Sequence, residues 1–139
     1  MPVRVWQEVQ KVPWEVECVK INDEMEIYVV KDPISKAKLK LIAKERFGDL
    51  VKAAVDIDQE IMAVGGELHI DEEVLLIEQE NSKQENVWGI NIYPDSSGDD
   101  FIEFDSMINL KPALSNRSRG IDNPKIREKV IAIVKKLIL

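Results

Sequence analysis

Hydrophobic positions recur every second residue along much of this chain, interrupted by clusters of turn-forming residues. The strand-like segments cover residues 14–30, with an Asn22-Asp23 turn, residues 51–64, with a polar break at 58–60, and residues 87–93. Short runs with this period, bounded by polar turns, are typical of strands joined in hairpins. The pattern therefore predicts an antiparallel β-sheet.

Two other segments have a helical spacing. The first follows Ser35, a good N-cap residue, and stops at Gly48, and the second opens with Asn123 and Pro124, which are favoured at helix starts. Their apolar stripes consist of Leu39, Ile42, Ala43 and Phe47 in the first helix and of Ile126, Val130, Ile133, Val134 and Leu137 in the second. We predict helices over about 36–47 and about 124–138, each packing its stripe on the sheet.

Residues 67–79 fit two patterns. Their glutamates and paired leucines suit a helix, whereas Leu68, Ile70, Val74 and Leu76 nearly alternate. We predict a strand, because the segment 87–93 needs a hairpin partner. Residues 102–110 also alternate and are predicted to form a strand whose Phe104 joins Trp88 in the core.

These elements predict an α+β fold, in which an antiparallel β-meander has one face covered by the helices at about 36–47 and about 124–138. The order of the strands is left open. Residues 28–139 are predicted to form a single domain, for which 139 residues in total are enough. Residues 1–27 are predicted to be a β-leaning extension whose Trp6 and Trp14 are a candidate subunit contact, so we expect a homo-oligomer.

Net charge and composition limit which partners and which cellular compartment we expect. The net charge of −7 argues against nucleic acid, whose phosphates need a basic surface. No stretch approaches the roughly 20 apolar residues that cross a membrane. One cysteine, Cys18, cannot form an internal disulfide. We therefore expect a cytoplasmic protein without membrane partners.

Several short segments, in order along the chain, resemble a family of short bacterial and archaeal proteins that has no assigned function. The segments are PISKAKLKLIAKERFGD, VDI, IMAVGGELHID, SKQENVWGINIYP, FIEFDSMINLKP and NRSRGIDNPKIREKV, within residues 28–138. The resemblance implies that their polar residues belong to one compact domain. It implies no activity.

Three groups of polar residues are candidates for a site. As strand residues, Glu67, His69 and Asp71 would share one face, either as an acid–base or metal site or, by preference, as a solvated face. The two carboxylates would then raise the pKa of His69.

Arg117 and Arg119 precede a helix start and are candidates for anion binding, with ion pairs to the sheet's acids as the simpler alternative. Asn91, Tyr93, Glu103 and Asp105 are expected on a polar sheet face.

No catalytic, metal-binding or nucleotide-binding motif appears in the sequence, and neither a metal nor a cofactor is predicted. The function is therefore unknown at this stage, with a non-catalytic binding or interaction module preferred. Its partner would be an unidentified protein or a small anionic ligand. The alternative is a small hydrolase or nuclease that uses His69, nearby carboxylates and the Arg117/Arg119 pair.

Overall fold

A seven-stranded antiparallel sheet is the centre of the fold in a computed structural model that describes residues 6–10, 17–21 and 25–139, with side chains from Glu26 onward. The strands are β1 (Trp6–Gln10), β2 (Glu17–Ile21), β3 (Met25–Val30), β4 (Val51–Asp56), β5 (Ile61–Val64), β6 (Val87–Ile92) and β7 (Ile102–Glu103). Their order across the sheet is β1-β2-β3-β5-β4-β6-β7, so β4 and β5 exchange places relative to the chain. The α+β class and the antiparallel sheet are confirmed.

Helices pack on both faces of this sheet. The described residues form three, α1 (Lys36–Arg46), α2 (His69–Glu80) and α3 (Pro124–Leu137). The apolar residues of α1 and α3 share one core with one face of β3 to β6, as predicted. Leucines of α2 form a second, smaller core on the opposite face. The sheet is therefore covered on two sides, whereas the sequence predicted one.

The strand predicted over 67–79 is wrong, because most of this segment is α2. The buried stripe of the helix contains His69, Glu72, Glu73 and Leu76, at the spacing i, i+3, i+4 and i+7. Glu72 Oε2 accepts a hydrogen bond from the backbone N–H of Gly66 at 3.0 Å, and burial raises the pKa of Glu72 well above its usual value. A side chain at position 66 would place its Cβ 2.9 Å from Cγ of Glu72, so the glycine makes room for this contact.

The strand predicted over 102–110 is wrong beyond Glu103. Ser106 instead caps a 3₁₀ turn over Met107–Asn109, and its side chain lies so close to β6 that a Cβ at position 89 would be 2.5 Å from it. Asn109 then hydrogen bonds to the edge of β6 through its amide: Oδ1 accepts from Gly89 N–H at 2.7 Å and Nδ2 donates to Gly89 O at 2.9 Å. The side chain of Asn109 thus makes the hydrogen bonds with Gly89 that a neighbouring strand would otherwise make.

Asp56 ties the β4–β5 hairpin to the end of α2. Its buried carboxylate accepts hydrogen bonds from the backbone N–H groups of Asp58 and Gln59, and from the hydroxyl of Ser82 at 2.6 Å. These bonds fix the turn predicted at residues 58–60 and hold α2 against the sheet.

Two strands of the N-terminal segment extend the sheet beyond β3. β2 pairs with β3, and β1 is the outermost strand on that side. Trp14 and the side chain of Trp6 lie outside what the structure describes, so their role in a subunit contact stays a prediction. Within the described residues no helix has the length and apolar character that crossing a bilayer requires.

Candidate functional site

A cleft of about 420 Å³ lies at the start of α2, on the sheet face that α2 covers. We name it the α2 cleft. Its polar lining residues are Lys52, His69, Asn91, Asp105, Ser106 and Arg119, and its apolar ones are Leu68, Ile70, Met107 and Ile108. Such a volume falls within the range of roughly 300–1,000 Å³ that is usual for small-molecule sites.

The sheet register and the helix start bring these residues together. Lys52 of β4 and Asn91 of β6 are directly opposite each other, so both side chains project from the same face. α2 crosses that face and begins there at His69. The irregular segment after β7 then supplies Asp105, and the loop before α3 supplies Arg119. The cleft therefore unites parts of the chain that are up to 67 positions apart in sequence, from 52 to 119.

His69 is buried and neutral in this setting. Its Nε2 lies 2.8 Å from the carbonyl oxygen of Ile90, and because a carbonyl only accepts, Nε2 carries the proton and donates it. Burial lowers the pKa of His69 below its usual value of 6.5, and the charge of Lys52 lowers it further. The Ile90 carbonyl, the Asn91 side chain and Asp105 act in the opposite direction without reversing the shift. The prediction that Glu67 and Asp71 raise this pKa is wrong, because burial outweighs the groups that raise it and neither carboxylate is one of those groups.

We expect NMR titration of His69 to give a pKa below 6.5. The folded state favours the neutral ring, so the unfolded chain takes up the proton first, and the free energy of unfolding should decrease as the pH falls below about 6.5. The signal is unambiguous because the chain has one histidine. The same titration in denaturant is the control and should return the pKa to about 6.5. A folded-state pKa at or above the denatured one contradicts the burial of a neutral ring.

Asn91 presents a buried acceptor without a partner. Its Nδ2 donates to Glu103 Oε1 at 2.8 Å, and the hydroxyl of Tyr93 donates to the same oxygen at 3.1 Å. Its Oδ1 is buried and makes no well-formed hydrogen bond with a described residue, although the Asn91 side chain is close enough to His69 to act on the pKa of the ring. Buried polar atoms are nearly always satisfied, so an orphan beside a cleft indicates room for a donor from outside the chain.

Two cations at the α2 cleft keep donors available. Arg119 donates from Nε to Asp105 Oδ1 at 2.7 Å, and its terminal nitrogens make no hydrogen bond within the described part of the chain. Lys52 lies 5.1 Å from the ring centre of Phe47 and forms no ion pair with a described carboxylate. The N-cap of α2 is Leu68, whose side chain cannot cap the first amides of the helix. The cleft is therefore rich in hydrogen-bond donors.

The structure brings some of the predicted site residues together and separates others. His69, Asn91, Asp105 and Arg119 share the cleft, and beside it Glu103 accepts hydrogen bonds from both Asn91 and Tyr93. Glu67, Asp71 and Arg117 are not among its lining residues. The start of α3, predicted to work with the arginines, is capped by Asn123, whose side chain accepts from Lys125 N–H at 2.9 Å. Lys52 was not predicted as a site residue.

A family model described as a protein of unknown function, DUF5674, matches residues 28–137. The chain belongs to this family. All residues that line the α2 cleft lie within the matched segment. No curated protein and no solved structure matches the chain. Membership in an uncharacterised family is thus confirmed, and this membership assigns no function to the α2 cleft.

Proposed function

We propose that this protein is a non-catalytic binding domain whose α2 cleft takes a small organic anion, a phosphate or a carboxylate on an apolar body. One observation carries the proposal: Lys52 and Arg119, two cations with free donors, line the same concave surface as the uncapped start of α2. Helix N-termini favour anions through their free N–H groups and dipole, and an arginine fork matches phosphate and carboxylate oxygens.

Apolar side chains at the rim of the cleft favour an organic ligand over an inorganic ion. The rim is lined by Leu68, Ile70 and Met107, whose surfaces are 53%, 45% and 62% exposed. Exposing apolar surface to water costs free energy, and the apolar body of a ligand would cover this surface. The orphaned Oδ1 of Asn91 supports a ligand that also carries a hydroxyl or amine donor.

Titration with phenyl phosphate, followed by calorimetry and by amide NMR shifts, tests this proposal. We expect saturable binding, with shifts at residues 68–70 and at Arg119. Arg119→Ala should weaken the binding about tenfold, because it removes a charge-assisted contact. Arg117→Ala is the matched control, since it removes the same charge from the same loop outside the cleft. Equal losses in the two variants, or no saturation at millimolar ligand, would overturn the proposal.

A hydrolase is the second candidate, and the shared position of His69, Asp105 and Arg119 in the cleft favours it. Nε2 of the neutral His69 ring donates to Ile90 O, so Nδ1 would be the nitrogen that acts as a base for an attacking water. The phenyl phosphate experiment separates the two functions. Release of phenol and inorganic phosphate, abolished in His69→Ala, would replace the binding domain with an enzyme.

A further inference from the structure

A second concave surface, of about 650 Å³, lies on the opposite face of the sheet from the α2 cleft. We name it the α3 groove, because α3 forms one wall; the start of α1 and residues 97–104 form the others. Its floor is apolar and includes Phe101, Ile102, Phe104 and Ile131, all of them only partly buried. Partly buried aromatic rings at the base of a groove are surface that a ligand would cover.

Three cations surround this apolar floor. Lys36 Nζ lies 5.0 Å from the ring centre of Phe101, and the guanidinium carbon of Arg127 lies 5.5 Å from that of Phe104. Lys135 is the third, and none of the three forms an ion pair with a carboxylate in the described residues. Arg127 is also held in position, because its Nη2 donates to the carbonyl of Ile121 at 2.6 Å. Lys36 and Arg127 are thus already oriented over the rings.

The local charge is the reverse of the charge of the whole chain. The sequence carries 26 acidic and 19 basic residues, yet Asp99 is the one acidic residue among those that line the groove. Unpaired cations gathered on such a chain raise the local potential and attract anions. A neutral apolar molecule would use the floor and leave the cations unused, and a polyanion would be repelled by the rest of the surface.

We propose that the α3 groove binds an amphipathic organic anion, in which one acidic group meets Lys36, Arg127 and Lys135 and an aliphatic or aromatic body covers the rings. The apolar floor supplies affinity through the burial of apolar surface. The cations supply selectivity for the acid group. The site is separate from the α2 cleft and does not depend on the function proposed for that cleft.

Sodium decanoate, kept below its micelle concentration, is the probe, and decylamine is the control with the same chain and the opposite charge. We expect decanoate to shift the amides of residues 101–104 and of α3, and to give NOE contacts from its chain to the rings of Phe101 and Phe104. Decylamine should bind at least about tenfold more weakly, because the cations repel it. Equal binding of the two probes, or shifts elsewhere on the protein, would overturn the proposal.

Charge-reversal variants identify which cations bind the acidic group of the ligand. The double variant Lys36→Glu/Lys135→Glu should weaken decanoate binding about tenfold. Lys44→Glu/Lys125→Glu is the matched control, since it reverses one exposed lysine in each of the same two helices outside the groove. An equal loss in the control pair would show a general charge effect. A loss in Arg119→Ala would move the site to the α2 cleft, and either result would reject the proposal.

Discussion

Replacing Asn109 with alanine is expected to lower the free energy of unfolding by about 4 kcal/mol, because three backbone groups lose their partners at once. The fully buried amide of Asn109 accepts from Gly89 N–H and donates to Gly89 O and Arg119 O at 2.7, 2.9 and 2.9 Å. Alanine fills none of these roles, and the surrounding packing keeps water out. Urea denaturation of the variant and the wild type measures the difference.

Two further variants separate hydrogen bonding from volume. Asn109→Asp keeps the shape and one acceptor but turns an oxygen towards two carbonyl groups, so it should also be strongly destabilising. Asn123→Ala, which removes an exposed helix cap, should cost only about 1 kcal/mol. If Asn109→Ala were no worse than Asn123→Ala, the side chain would not be holding the edge of β6.

Trp88→Ala is expected to cost about 3–5 kcal/mol, the range for removing a fully buried aromatic ring. Trp88 is 1% exposed in the core between the sheet, α1 and α3. Phe104, predicted from the sequence to join the same core, is only partly buried against it and lines the α3 groove. Phe104→Ala should therefore cost clearly less, and equal shifts in the urea midpoint of the two variants would contradict this burial difference.

The elements with a clean hydrophobic period could be predicted from the sequence. Ser35 and Asn123 cap α1 and α3 through side-chain oxygens as expected, and both helices end within one or two residues of their predicted ends. The β4–β5 hairpin was predicted for the same reason, since its two apolar runs are separated by a polar turn.

α2 was predicted as a strand because its buried stripe mixes polar and apolar residues. Glu72 and Glu73 occupy positions that an amphipathic helix normally fills with apolar residues, so the helical pattern did not prevail over the near-alternation of the apolar residues. Only contacts distant in sequence explain them: Glu72 bonds Gly66 N–H, and Glu73 lies 3.9 Å from the buried Nζ of Lys111. Residues 104–110 were predicted as a strand because their apolar and polar residues alternate, but they form turns beside β6.

The candidate site was accessible from the sequence only in part. Residue type was enough to single out His69, Asp105 and Arg119, whereas the presence of Lys52 depends on its pairing with Asn91 across two strands. The separation of Arg119 from Arg117 depends on the backbone path of one loop. Register and loop path are long-range properties, and a single sequence does not encode them in any local pattern.

The amide of Asn109 also limits how copies of this chain could assemble. β7 pairs with β6 only at Asn91 and Ile92, and Asn109 occupies the next free position at Gly89, so among the described residues this side of the sheet offers another molecule only the two residues of β7. The outermost described strand at the other end of the order is β1, where strand addition between copies would take place. Two copies joined through β1 would form a continuous sheet whose outer ends are both two-residue strands. Such short ends would favour a closed two-fold symmetric dimer over a filament.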